Sequence, residues 1–206
     1  MRAAVLIAML LAPAAAAAQD PPAPSRTKDV VLLLSGAAAG LGIHEGGHVL
    51  AGVSFGARPS LKRINFGPIP FFAIDHQPVT RRREFVISSA GFWVQHAGSE
   101  WILTRHPDIR HERRPFLKGV LIFNLATSTL YSVTAFGGIG PEERDTHGMA
   151  VSLGRDGVHE SAVGMLVLAP ALLDGYRVFY PKQAWAKWAS RAMKIAAVGL
   201  TLGAGR

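Results

Sequence analysis

The 206-residue chain contains no cysteine. That absence excludes disulfides, thiolate zinc sites and thiol nucleophiles, so any metal must be held by His, Asp or Glu. Charge is also scarce. Asp, Glu, Lys and Arg make up 17% of residues, against about 25% in an ordinary soluble domain. The charges cluster, and long uncharged tracts separate them, which points to a membrane protein. The net charge is +8. The basic residues flank apolar runs and form no stripe interleaved with aromatics. They read as anchors at a membrane face, not as a nucleic-acid surface.

The first 18 residues have the form of a secretory signal. Arg2 is followed by a short apolar core, Ala3 to Leu11, and by small residues, Ala16-Ala17-Ala18. Residues 19–28, with several prolines, read as an extended linker. Residues 29–206 then form one membrane-embedded domain. Its apolar runs cover Val30–Phe55, Phe85–Thr104, Phe116–Phe136, Val158–Phe179 and Met193–Ala204. Spanning needs about 20 apolar residues, so the last run is short and could lie along the interface. Leu61–Phe66, Gly67-Pro68 and Ile69–Ile74 read as a β-hairpin. The expected fold class is an all-α multi-pass membrane protein, with about three to five transmembrane segments and a small hairpin after the first mature span. A bacterial inner membrane is the expected location.

Charges suggest a topology. The connections 56–84 and 105–118 are rich in arginine and lysine, whereas 137–157 carries Glu142, Glu143, Asp145 and Asp156. Positive connections belong inside. If Phe85–Thr104 does not cross, both basic connections lie on the cytoplasmic side and the acidic one outside. Ser88, Ser89, Gln95, His96, Ser99 and Glu100 make that segment polar for a lipid-facing span. A re-entrant or protein-buried segment suits it better.

The chemistry is concentrated in His44-Glu45-Gly46-Gly47-His48. Two histidines four apart share one helix face, one turn apart, as two zinc ligands should. Glu45 is placed to take a proton from metal-bound water. The motif follows 14 residues without charge, Val30 to Ile43, and ionisable groups at membrane depth are costly and usually functional. A third protein ligand is needed, with water in the fourth place. The residues after His48 rule out a metzincin, since Ala51 and Ser54 stand where that class has Gly and His. Asp174, between Pro170 and Gly175 at the end of an uncharged run, is the candidate third ligand. Proline and glycine would loosen the helix there. In the topology above, Val30–Phe55 and Val158–Phe179 run parallel, which puts His44 and Asp174 at similar depth. The blander reading of Asp174 is an acid at a helix end.

Ile43-His-Glu-Gly-Gly-His-Val-Leu-Ala51, the hairpin, Ser89-Ala-Gly91 and Leu173-Asp-Gly175 together resemble the site-2 protease family of intramembrane zinc metalloproteases. The resemblance implies His44, His48 and Asp174 as zinc ligands and Glu45 as catalytic base. It implies hydrolysis of membrane-anchored protein or peptide substrates, which the topology places near the cytoplasmic side. The family's Asn and first Pro before Leu-Asp-Gly have no counterpart in Met165–Ala169, and its Ala-Gly-Pro appears as Ala90-Gly91-Phe92. Two rival functions are a non-catalytic membrane scaffold that keeps the fold and a metal or solute transporter. The transporter would need further intramembrane ligands, for which His96 and Glu100 are the hint. Asn124, Thr127 and Ser128 read as interhelical hydrogen-bonding groups, with an oxyanion role for Asn124 as the alternative.

Overall fold

A computed structural model describes residues 25–66, 69–153 and 159–203. The proposed signal, residues 1–18, lies outside the described residues. The chain is mostly helical. Its elements are α1 (Arg26–Ser54), β1 (Ser60–Phe66), β2 (Ile69–Asp75), α2 (Arg81–Arg105), α3 (Pro115–Gly137), α4 (Asp145–Ser152), α5 (Glu160–Phe179) and α6 (Ala184–Gly203). Helix α1 begins at Arg26, so the end of the expected linker is already helical. Three helices are long and apolar enough to cross a membrane: α1, α3 and α5.

Helix α1 carries a buried stripe of Gly36, Gly40, His44, Gly47, His48 and Gly52. The spacing of three and four keeps these residues on one face. Small residues let neighbouring backbones close in. A Cβ on Gly36 would strike the Phe116 carbonyl, one on Gly119 would strike the Leu33 carbonyl, and one on Gly40 would meet Phe123. Gly36 by Phe116, Gly40 by Phe123 and His44 by Tyr131 advance together along both chains, so α1 and α3 run parallel. On its other side, Gly47 packs against the Ala90 carbonyl, and His48 lies by Ile87 while His44 lies by Gln95. Helix α2 is therefore antiparallel to α1.

This geometry corrects the charge-derived topology. Arg113 pairs with Asp29 at 3.2 Å, so the 105–118 connection sits at the N-terminal end of α1. Lys62 pairs with Glu143 at 3.0 Å, so the hairpin and the acidic 137–157 connection share the opposite end. The two basic connections lie at opposite ends, and α2 runs the length of the bundle between them. Its polar residues need not face lipid, because Ser88, Ser89, Gln95, His96 and Ser99 are all buried against other helices. Asn124 donates to the Gln95 carbonyl and to Ser99 Oγ, which settles that residue as an interhelical hydrogen-bonding group.

Two apolar clusters bracket this polar layer. Phe85, Phe92, Met149, Val163 and Val167 form one, and Ile102, Leu103, Ile109, Val120 and Leu121 the other. Ser132 Oγ donates to the Gly164 carbonyl, joining the end of α3 to the start of α5. Helix α5 thus runs antiparallel to α3 and to α1. It continues through Pro170 and Gly175 without a break, supported by packing against α3, α2, α4 and α6. Helix α6 starts earlier than its apolar run suggested. It buries Ala186, Ser190, Lys194, Ala197 and Thr201, while Trp185 and Trp188 stay exposed. The hairpin forms as expected, with Ser60 opposite Asp75 and Phe66 opposite Ile69.

Candidate metal centre

His44 and His48 point inward from α1 toward α2, and both are buried. The Nδ1 atom of His48 lies 2.7 Å from the Ile87 carbonyl, which can only accept, so that nitrogen carries the proton. The Nδ1 atom of His44 lies 2.9 Å from Gln95 Oε1. Both Nε2 atoms are then turned toward each other, 3.2 Å apart. Asp145 completes the group. Its Oδ2 lies 3.1 Å from His44 Nε2 and 3.3 Å from His48 Nε2. Burial disfavours the charged form of Asp145. The adjacent His48 and His44 nevertheless hold its carboxyl well below the usual carboxylate range.

Two imidazole nitrogens and a carboxylate oxygen converge here, and either a proton on an imidazole or a bound cation can supply positive charge among them. Their spacing also accommodates zinc. Tetrahedral zinc with bonds of about 2.0–2.2 Å sets ligand atoms roughly 3.3–3.5 Å apart. The three observed separations fall within a few tenths of an ångström of that. Among the described residues this is the one group of His and acidic side chains with metal-ligand geometry. The space is made by Gly91 of α2. A Cβ there would lie 2.6 Å from His44 Cε1 and 2.7 Å from its Nδ1, and would strike His48 Nε2. Glu45 is half-buried beside the group, within electrostatic reach of His44, His48 and Asp145. Tyr131 of α3 stands over His44, with ring centroids 6.1 Å apart, and its hydroxyl is set toward Asp145.

Asp174 is not part of this centre, contrary to the expectation. It is fully buried, with its Oδ1 2.8 Å from Lys194 Nζ and 2.7 Å from Ser190 Oγ. Arg177 lies one turn on and joins Glu100, which also pairs with Arg191 and Lys194. The reason is the direction of α5. Because α1 and α5 are antiparallel, equal distances from their starts fall at different levels of the bundle, and Asp174 meets α6 instead. Glu100 is absorbed by the same ionic cluster, so the suggested His96–Glu100 metal pair does not form.

The residue that sequence reasoning missed is Asp145. It opens the short helix α4, where an acid favours the helix dipole. Arg144 before it is clamped by Glu160 of α5, and Thr146 Oγ1 also donates to Glu160. Gly148 lets α4 lie close on Ser88 of α2. Thr146, Met149 and Ser152 are buried. That three-residue spacing in an otherwise acidic connection was the available clue to a helix with an inner face.

A cleft of about 240 Å³ opens onto His48 and Asp145. Its walls are β2 from Ala73 to Asp75, the first turns of α2 at Glu84, Ile87 and Ser88, and the segment Glu142–Asp145. Across its rim, the hydrogen bond and charge of the Lys62–Glu143 pair hold the lysine above and the carboxyl below their ordinary values. Comparison with family models, curated proteins and solved structures finds no match to this chain.

Proposed function

We propose that the protein is a multi-pass membrane zinc metalloendopeptidase, with α1, α3 and α5 crossing the bilayer. Its substrates would be membrane-anchored proteins or peptides, cut at the hairpin end of the bundle. The observation that carries this reading is the convergence of His44 Nε2, His48 Nε2 and Asp145 Oδ2, with Glu45 beside them and a cleft leading in. The reading keeps the zinc-hydrolase motif of the site-2 protease resemblance and replaces its acidic ligand.

When bound by these three side chains, zinc supplies a Lewis acid with one open position, which lowers the pKa of a bound water to about 7 and polarises a carbonyl. The chain's own residues supply the rest. Glu45 takes the proton from the attacking water and delivers it to the leaving amine as the C–N bond breaks. Ile87 and Gln95 hold the two imidazoles with Nε2 facing the reacting centre. The outer edge of β2 borders the cleft, and an extended substrate strand would add there through main-chain hydrogen bonds, bringing its carbonyl to the centre. Extended substrate suits such a site, because a helical peptide bond is shielded by its own hydrogen bonds.

The transporter reading loses its hint, since Glu100 is committed to Arg177, Arg191 and Lys194. The scaffold reading leaves Glu45 without a task, because a structural metal needs no base. Purified protein in liposomes, incubated with a panel of single-span peptides, tests the proposal. Cleavage by the wild type and none by Glu45→Gln is expected. A wild type that holds one zinc per chain and cleaves nothing across the panel would favour the scaffold.

A further inference from the structure

Gln95 is the most deeply buried amide near the centre, with no exposed surface. Its Oε1 accepts from His44 Nδ1, and its Nε2 has no partner among the described residues. A buried amide normally satisfies both ends. Here one end is given up, so the residue is present for the bond its oxygen makes. The helix around it is fixed. Asn124 of α3 donates to the Gln95 carbonyl and to Ser99, locking this turn of α2 in place.

The direction of the bond matters. With Oε1 facing Nδ1, His44 keeps its proton on Nδ1 and turns a bare Nε2 toward Asp145 and His48. The reversed amide would offer a donor to Nδ1. The proton would then move to Nε2, directly into the space between the three ligand atoms. His48 needs no such side chain, because the Ile87 carbonyl cannot donate. Gln95 is therefore the side chain that decides which nitrogen of His44 faces the centre. It is also neutral. Asp145 is then the one negative ligand, and a divalent metal held here would keep a net positive charge for polarising a carbonyl or water.

We infer that Gln95 is a positioning residue, built to hold His44 as an Nε2 ligand while adding no charge of its own to the centre. This rests on the metal-centre reading above. Outer partners of metal-bound histidines change metal affinity by about 10–100-fold when removed. The test is zinc affinity, measured by chelator competition on the full chain in detergent, with helix content followed by circular dichroism. Gln95→Met keeps the volume and removes the acceptor, and should bind zinc 10–100-fold more weakly with native helix content. Gln95→Glu keeps the acceptor and adds charge. It should bind zinc at least as tightly as the wild type, and its cobalt form should keep the tetrahedral visible spectrum. A folded Gln95→Met that binds within about threefold of the wild type overturns the inference. If that variant does not fold, Gln95→Glu decides, and a tenfold loss of affinity there overturns it. A wild type that binds no zinc at all would instead remove the centre on which the inference stands.

Discussion

Asp145 Oδ2 lies 3.1 Å from Nε2 of His44, a residue 101 positions earlier in the chain. No local pattern links the two, yet their contact makes Asp145 the candidate acidic ligand of the proposed centre. Asp145→Asn should therefore lower zinc affinity by more than tenfold and abolish turnover, because a neutral amide oxygen replaces a carboxylate in a three-ligand site. Metal analysis after dialysis against a weak chelator checks this. Full zinc retention in the variant would remove Asp145 from the centre.

Asp174→Ala should behave in the opposite way. Zinc content should stay at the wild-type level, while stability falls. The substitution takes away a partner of buried Lys194 and Ser190, and breaking a buried pair from one side costs about 3 kcal/mol or more. A lowered thermal midpoint in detergent with undiminished zinc is the expected pair of results. Loss of zinc at an unchanged midpoint would restore Asp174 as a ligand.

Gly91→Ala probes the space rather than the ligands. The added methyl group would occupy the contact zone of both imidazoles. Zinc binding should be lost, or reduced more than tenfold, with helix content retained. Binding equal to the wild type would mean that the histidines sit elsewhere.

The absence of native cysteine allows clean topology labelling in vesicles. Single cysteines at Arg82 and at Glu142 should react from the same face of the membrane, because the hairpin and the α3–α4 connection share one end of the bundle. A cysteine at His111 should react from the other face. Labelling of positions 82 and 111 from one side would contradict the antiparallel packing of α1 and α2.

The elements that were legible in the sequence are those whose cause is local. The long helices follow from uninterrupted apolar tracts, and the hairpin from two β-rich runs around Gly67-Pro68. The His44–His48 pair follows from a spacing of one helical turn. What was illegible depends on how helices pair. Charge placed both basic connections on one side, but Gly36, Gly40 and Gly119 impose a parallel α1–α3 contact that the charges of loops do not report. Once that direction is reversed, Asp174 falls among Lys194, Ser190 and Arg177, and the third ligand must come from elsewhere. Asp145 resembled the other acids of its connection, and nothing beside it in the sequence points to His44 or His48.

The distance between the ligands along the chain also sets an order of events during synthesis. Ribosomes add about 5–20 residues per second, so roughly 5–20 seconds separate the appearance of His44 from that of Asp145. In that interval α1 and the hairpin can form, but the nascent chain has only two of the three side chains of the proposed centre. The chain carries its own delay: the centre cannot be completed until α3 has been made and α4 has turned back beneath it.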